Sequence, residues 1–159
     1  MNQLEKILEK SIFASRWLLA PIYIVLSISL FFITVKVVQE LLYFAPSLFS
    51  SDLKDMMLFV LHIVDLALIS NLVLMIIFAG YENFVSKISV ADESEDKPEW
   101  MGKTDFGDLK LKLVASIVAI SGINLLETFM DISEVSDREI QWMIIIHVVF
   151  IFSGLLLAL

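Results

Sequence analysis

Four long apolar runs, near residues 17–42, 56–80, 111–130 and 140–159, leave this chain few choices of fold. The hydrocarbon core of a bilayer is about 30 Å thick, and a helix rising about 1.5 Å per residue crosses it in roughly 20 residues. Each run meets that length. In lipid the backbone must satisfy its own hydrogen bonds, which a helix does within one segment. The runs therefore predict an all-α chain, a four-helix transmembrane bundle forming a single domain over 1–159. Its helices are expected near 17–44, 53–80, 106–131 and 138–159, with a loop at 81–105. A hydrophobic content of 58% and a mean hydropathy of +0.86 place the chain outside the range of soluble domains.

The first run is too long, and starts too far behind Glu5, Lys6, Glu9 and Lys10, for a cleavable signal region. Cysteine is absent, which excludes disulfides, thiolate metal sites and thiol nucleophiles. A net charge of −8 and the lack of a glycine-rich phosphate loop argue against nucleic acid and nucleotides as partners. Cations set the orientation: Lys6, Lys10, Arg16, Lys87, Lys97, Lys103, Lys110 and Lys112 fall on one side, against Lys36, Lys54 and Arg138 on the other. Both termini and the middle loop are expected in the cytoplasm. The outer side, with Glu40, Asp52, Asp55, Glu127, Asp131, Glu134, Asp137 and Glu139, is net acidic.

Residues 1–16 set Leu4, Ile7, Leu8 and Ile12 on one helical face and Glu5, Lys6, Glu9 and Lys10 opposite. This is the pattern of a short amphipathic helix in the membrane interface or of a cytoplasmic extension of the first span. Pro21 sits where a helix best tolerates a missing N–H, and Tyr43, Phe44 and Pro46 close the span. Gly80 reads as the stop of the second helix. The stretch 91–108, ADESEDKPEWMGKTDFGD, reads as an acidic loop, with Thr104 or Asp105 capping the third helix. Trp17, Trp100 and Trp142 read as interface anchors. The ending SGLLLAL leaves two options, a helix that stops at the interface or a native tail beyond Leu159.

Ionisable residues inside the spans carry the functional question. Counting from helix midpoints, Asp65 and His62 lie roughly 4 and 9 Å outward of the midplane, Asn124 and Glu127 roughly 5 and 10 Å, His147 roughly 4 Å and Lys36 about 12 Å. An i, i+3 spacing puts His62 with Asp65, and Asn124 with Glu127, within about 60° on their helices. Asp131 extends the Glu127 face by a turn. The other side of that helix carries Ala115, Ala119 and Gly122, suited to close packing. An ionised carboxylate near the bilayer centre costs at least ~2.5–3.5 kcal/mol, so Asp65 and Glu127 need protein partners or water. His62, Asp65, Asn124, Glu127 and His147 are thus expected to form one polar cluster, with Lys36, Glu40 and Asp131 in an outer vestibule. Lys36 and Glu40, at i, i+4, are expected to pair. Ser70 and Asn71 are expected to bond to a neighbouring helix.

Two segments echo each other: SDLKDMMLFVLH (51–62) and SDREIQWMIIIH (136–147) both open Ser-Asp and end in histidine. If both pairs cap helices, the histidines sit at matching depths. A duplicated two-helix unit explains the echo, and so does coincidence, since the remaining residues align poorly.

Three classes of function fit such a cluster. It can hold helices in register, in a structural or accessory protein that organises partners. It can pass protons or small cations, since carboxylates and imidazoles titrate and an acidic vestibule concentrates cations. It can ligate haem or a metal through His62 and His147, although no HExxH spacing or second histidine pair is present. At HIVDLALISNLVLMIIFAGYENFVSKI (62–88) and LKLKLVASIVAISGINLLETFM (109–130) the chain resembles the YqhA-like family of small, uncharacterised bacterial inner-membrane proteins. The likeness extends over essentially the whole chain, and GYENFVSK is its most distinctive part. It implies an inner-membrane location and assigns no site. The residues themselves favour a homo-oligomeric channel or transporter for protons or small cations, with no catalytic constellation and no cofactor. Membrane lipids are its expected surroundings.

Overall fold

A computed structural model describes residues 3–89, 95–96 and 106–159, and every regular element among them is helical. In chain order these are α1 (Gln3–Ala14), α2 (Ala20–Phe44), α3 (Leu53–Phe84), α4 (Phe106–Met130) and α5 (Asp137–Ala158). Short 3-10 turns occupy Ser15–Leu19, Ala45–Ser47 and Ile132–Glu134. The chain is an all-α four-helix bundle, and α2 to α5 are each long and apolar enough to cross a membrane. It is a multi-pass membrane protein. Trp100, Thr104, Asp105, Lys97 and Lys103 lie outside the described residues, so the anchor, cap and charge expectations that rest on them stay expectations.

Local chemistry accounts for most boundaries. Pro21 stands in the first turn of α2, where its missing N–H costs nothing. Pro46 stands in the turn that closes the helix after Phe44. Asp52 caps α3, its carboxylate accepting the Asp55 N–H at 2.8 Å. Ser136 caps α5 through a capping box: its Oγ accepts the Glu139 N–H, while Glu139 Oε2 accepts the Ser136 N–H. Between α1 and α2 the backbone stays right-handed helical from Ala14 to Ala20. The amphipathic start is therefore joined to the first span without a break. Its apolar residues Leu4, Ile7, Leu8 and Ile12 are all exposed, and among the described residues α1 shares no substantial interface with a spanning helix. A face so uncovered suits lipid contact.

Gly80 does not end its helix. α3 runs one turn further, to Phe84, and closes where the Val85 and Ser86 N–H groups both meet the Tyr81 carbonyl. The glycine serves packing: a Cβ there would stand 2.6 Å from Tyr23 Cε1 and Oη. The hydroxyl end of Tyr23 of α2 thus rests on the α3 backbone, and its ring meets the Tyr81 ring edge-on at 6.1 Å. Ile77, Ala79, Gly80 and Val85 are the buried residues around this contact.

The spanning helices pack in chain order, α2 on α3, α3 on α4 and α4 on α5, and α2 shares no comparable interface with α5. The bundle is an open row. The 45–52 and 131–136 turns lie at one end, called outer below, and α1, residues 85–89 and the start of α4 at the other. Close packing of α4 on α5 uses Gly122 and Gly154, the latter facing Val114. The expected small-residue face is only partly right, because Ala115 and Ala119 are exposed. Asn71 is also exposed, and the Ser70 hydroxyl donates to the Leu66 carbonyl of its own helix. Neither follows the expected bond to a neighbouring helix.

Candidate functional site

The two Ser-Asp pairs of the sequence echo are not used alike. The aspartate caps α3, whereas the serine caps α5, so His62 follows its cap (Asp52) by ten residues and His147 follows its cap (Ser136) by eleven. Helix α3 packs on both α2 and α4, whereas α5 packs on α4 alone among the spans. The histidines therefore meet different neighbours.

His62 sits at the seam between α3 and α4. Glu127 lies within electrostatic reach of both His62 and Asp65, and His62 also acts on Glu40 of α2. His62, Asp65 and Glu127 are each partly buried. Within the group, Asp65 Oδ1 is inaccessible to solvent and has no hydrogen-bond partner among the described residues. A carboxylate oxygen so placed is stable only with a proton or a cation beside it. Toward the outer end the same seam is closed by an ion pair between Lys54 of α3 and Asp131, the residue that follows α4. Asp131 thus continues the Glu127 face, as its spacing predicts, but is spoken for by a lysine.

Beside the seam, between the outer ends of α2 and α3, a cleft of about 510 Å³ opens. Glu40, Tyr43, Ser50, Asp55, Phe59 and His62 are among its walls. Phe44 and Phe59 stack at 4.3 Å and hold the two helices together there. Lys36 pairs with Glu40 at 2.8 Å, the i, i+4 contact expected. His62 belongs to both the cleft and the seam, which makes it the link between them.

His147 is elsewhere, which corrects the single five-residue cluster. Its Nδ1 is 2.7 Å from Ser121 Oγ, and its ring lies on Gly122, whose Cβ would stand 3.4 Å from His147 Cε1. Asn124 lines a groove on the same side, with Ser121 and Met143. The Thr128 hydroxyl, one turn on, donates to the Asn124 carbonyl and reaches Met143 Sδ at 3.4 Å. Helix α4 is sandwiched between α3 and α5, so the 60° between Asn124 and Glu127 suffices to send them to opposite neighbours. The polar residues form two groups: His62, Asp65 and Glu127 on α3/α4, and Ser121, Asn124 and His147 on α4/α5.

That division also separates the two histidines proposed as haem or metal ligands. Among the described residues no three His, Asp or Glu side chains gather closely enough to hold a metal ion. Two participants were absent from the sequence reading of the site. Asp55 lines the cleft because it follows the Asp52 cap, and its position three residues after that cap was the available signal. Ser121 stands seven residues before Thr128, two turns on one helix face, and that spacing was the clue to a polar strip along α5.

The profile of an uncharacterized protein family, UPF0114, matches residues 12–129. No solved structure matches the chain.

Proposed function

The chain belongs to the uncharacterized protein family UPF0114, so its function has to be read from its own residues, and we propose that it transports protons or small cations across a membrane. Asp65 and Glu127 are the exchange sites in this reading, and His62 connects them to the outer cleft. The observation that carries it is the buried, unpartnered Asp65 Oδ1 beside a second carboxylate and an imidazole. An intramembrane acid of this kind costs several kcal/mol as a bare anion, so proton or cation uptake accompanies its burial. Glu40 and Asp55 in the cleft supply the negative potential that gathers cations at the entrance. The Lys54–Asp131 pair lies over the seam, where its opening would give a second entry.

The lysine distribution favours both termini in the cytoplasm, and the family resemblance implies a bacterial inner membrane. An open helix row leaves α2 and α5 with lateral faces free, which favours a homo-oligomer whose copies complete the route inward from Asp65. The role is one of transport, with no catalytic step. The same open row favours a second reading, an accessory protein that gathers other membrane proteins.

Purified protein in liposomes carrying an internal pH or cation indicator separates these readings. Flux is expected from the wild type and is expected to fall at least tenfold in Asp65→Asn and in Glu127→Gln, since a transported charge must bind in transit. Wild-type rates in both variants would remove the carboxylates from the route. A wild type that passes no proton, Na⁺ or K⁺ favours the accessory reading.

A further inference from the structure

At the end opposite the carboxylates, α2 and α3 splay around a second cleft, of about 580 Å³. Its mouth carries Trp17, Lys87 and Ser89, its floor is the Tyr23–Tyr81 ring pair, and Ile24 and Phe78 continue it into the apolar span. From Ala20 to Ser27 the lining follows α2 for about 10 Å of depth at 1.5 Å per residue. The Ser27 hydroxyl is occupied by the Tyr23 carbonyl. The inner wall therefore offers an apolar surface and no free donor from that serine. The charge of the described lining, on Lys87, is at the mouth, and only hydroxyls lie deeper.

Charge narrows the occupant. In a chain with a net charge of −8, the described residues that line this cleft include a lysine and no carboxylate. Lys87 is exposed and makes no ion pair with any described residue. A cation and an indole at the membrane boundary, above a greasy slot one leaflet deep at most, match an amphiphile with an anionic head and a hydrocarbon tail. A peptide would need backbone partners that the slot does not offer, and a free phosphate would leave the apolar wall bare. We propose that this cleft is a binding site for an anionic phospholipid of the surrounding leaflet, its phosphate at Lys87 and one acyl chain along Ile24 and Phe78. The missing side chain of Gly80 leaves room for the hydroxyl end of Tyr23 at the floor of the slot. The inference rests only on the chain spanning a membrane and is independent of what the carboxylates carry.

Trp17 reports on the site. Replacing Trp100 and Trp142 by Phe leaves it as the only indole of three. In nanodiscs, brominated phosphatidylglycerol is expected to quench Trp17 at a several-fold lower mole fraction than brominated phosphatidylcholine. Lys87→Gln should bring the two lipids to parity, while Lys87→Arg and the distant Lys36→Gln should keep the preference. Equal quenching by both lipids in the parent protein would overturn the proposal, as would an unchanged preference in Lys87→Gln. Loss of preference in Lys36→Gln, or displacement of the brominated lipid by soluble glycerol phosphate, would also overturn it.

Discussion

Replacing Gly80 by alanine pits two effects of similar size against each other, and the structure says which prevails. In a helix interior alanine is favoured over glycine by about 1 kcal/mol. The new Cβ, however, would stand 2.6 Å from Tyr23 Cε1 and Oη and 2.9 Å from Cζ. Carbon atoms in contact rest near 3.5–4.0 Å, so the ring must retreat by about 1 Å. A tyrosine ring can swing, but this one is held edge-on by Tyr81. Overpacking of this kind costs about 1–3 kcal/mol, which exceeds the propensity gain and leaves a net loss of about 1 kcal/mol. In a Tyr23→Ala background the obstacle is gone, and the same Gly80→Ala change should stabilise by up to about 1 kcal/mol. The coupling between the two positions is then about 1–3 kcal/mol. Unfolding in mixed micelles titrated with sodium dodecyl sulfate, followed by circular dichroism, measures all four proteins. If Gly80→Ala has the same sign and size in both backgrounds, Tyr23 does not rest on that backbone and the account of the α2/α3 contact is wrong.

Two further outcomes test the division of the polar residues. His147→Phe should lower stability by about 1 kcal/mol through loss of its bond to Ser121, whose hydroxyl keeps the Val118 carbonyl, and crowding at Gly122, yet leave liposome flux per folded protein unchanged, whereas His62→Phe should abolish flux. Equal flux defects in the two variants would restore a single cluster. Ser136→Ala should cost about 1 kcal/mol in the same micelle titration, and the corresponding change at Ser51, whose hydroxyl turns back to the Leu48 carbonyl, should cost much less. Equal losses would mean that the two helix starts are capped alike.

Much of this protein was legible from composition and spacing. Run length against bilayer thickness gave four spans, and the i, i+4 spacing gave the Lys36–Glu40 pair. Ser-Asp pairs located both outer helix starts, and depth counting placed His62 near the level of Glu127 with Asp65 one turn deeper. What misled was the assumption that equal depth and a shared helix face imply one meeting point. Depth depends on residue count, which the sequence contains. Facing depends on which helices pack together, and α5 packs on α4 alone among the spans, which puts His147 against Ser121.

Gly80 makes the same distinction on a smaller scale. Its position near the end of an apolar run is visible in the sequence, but the tyrosine that occupies its missing side chain comes from another helix, 57 residues earlier in the chain (80 against 23). The sequence by itself determined that the chain crosses a membrane, where its helices begin, and how deep its charged groups lie, because each of these is set by local composition and rise per residue. Which helix each polar group meets, and that one oxygen of Asp65 is left without a partner, was decided by the packing of α4 between α3 and α5.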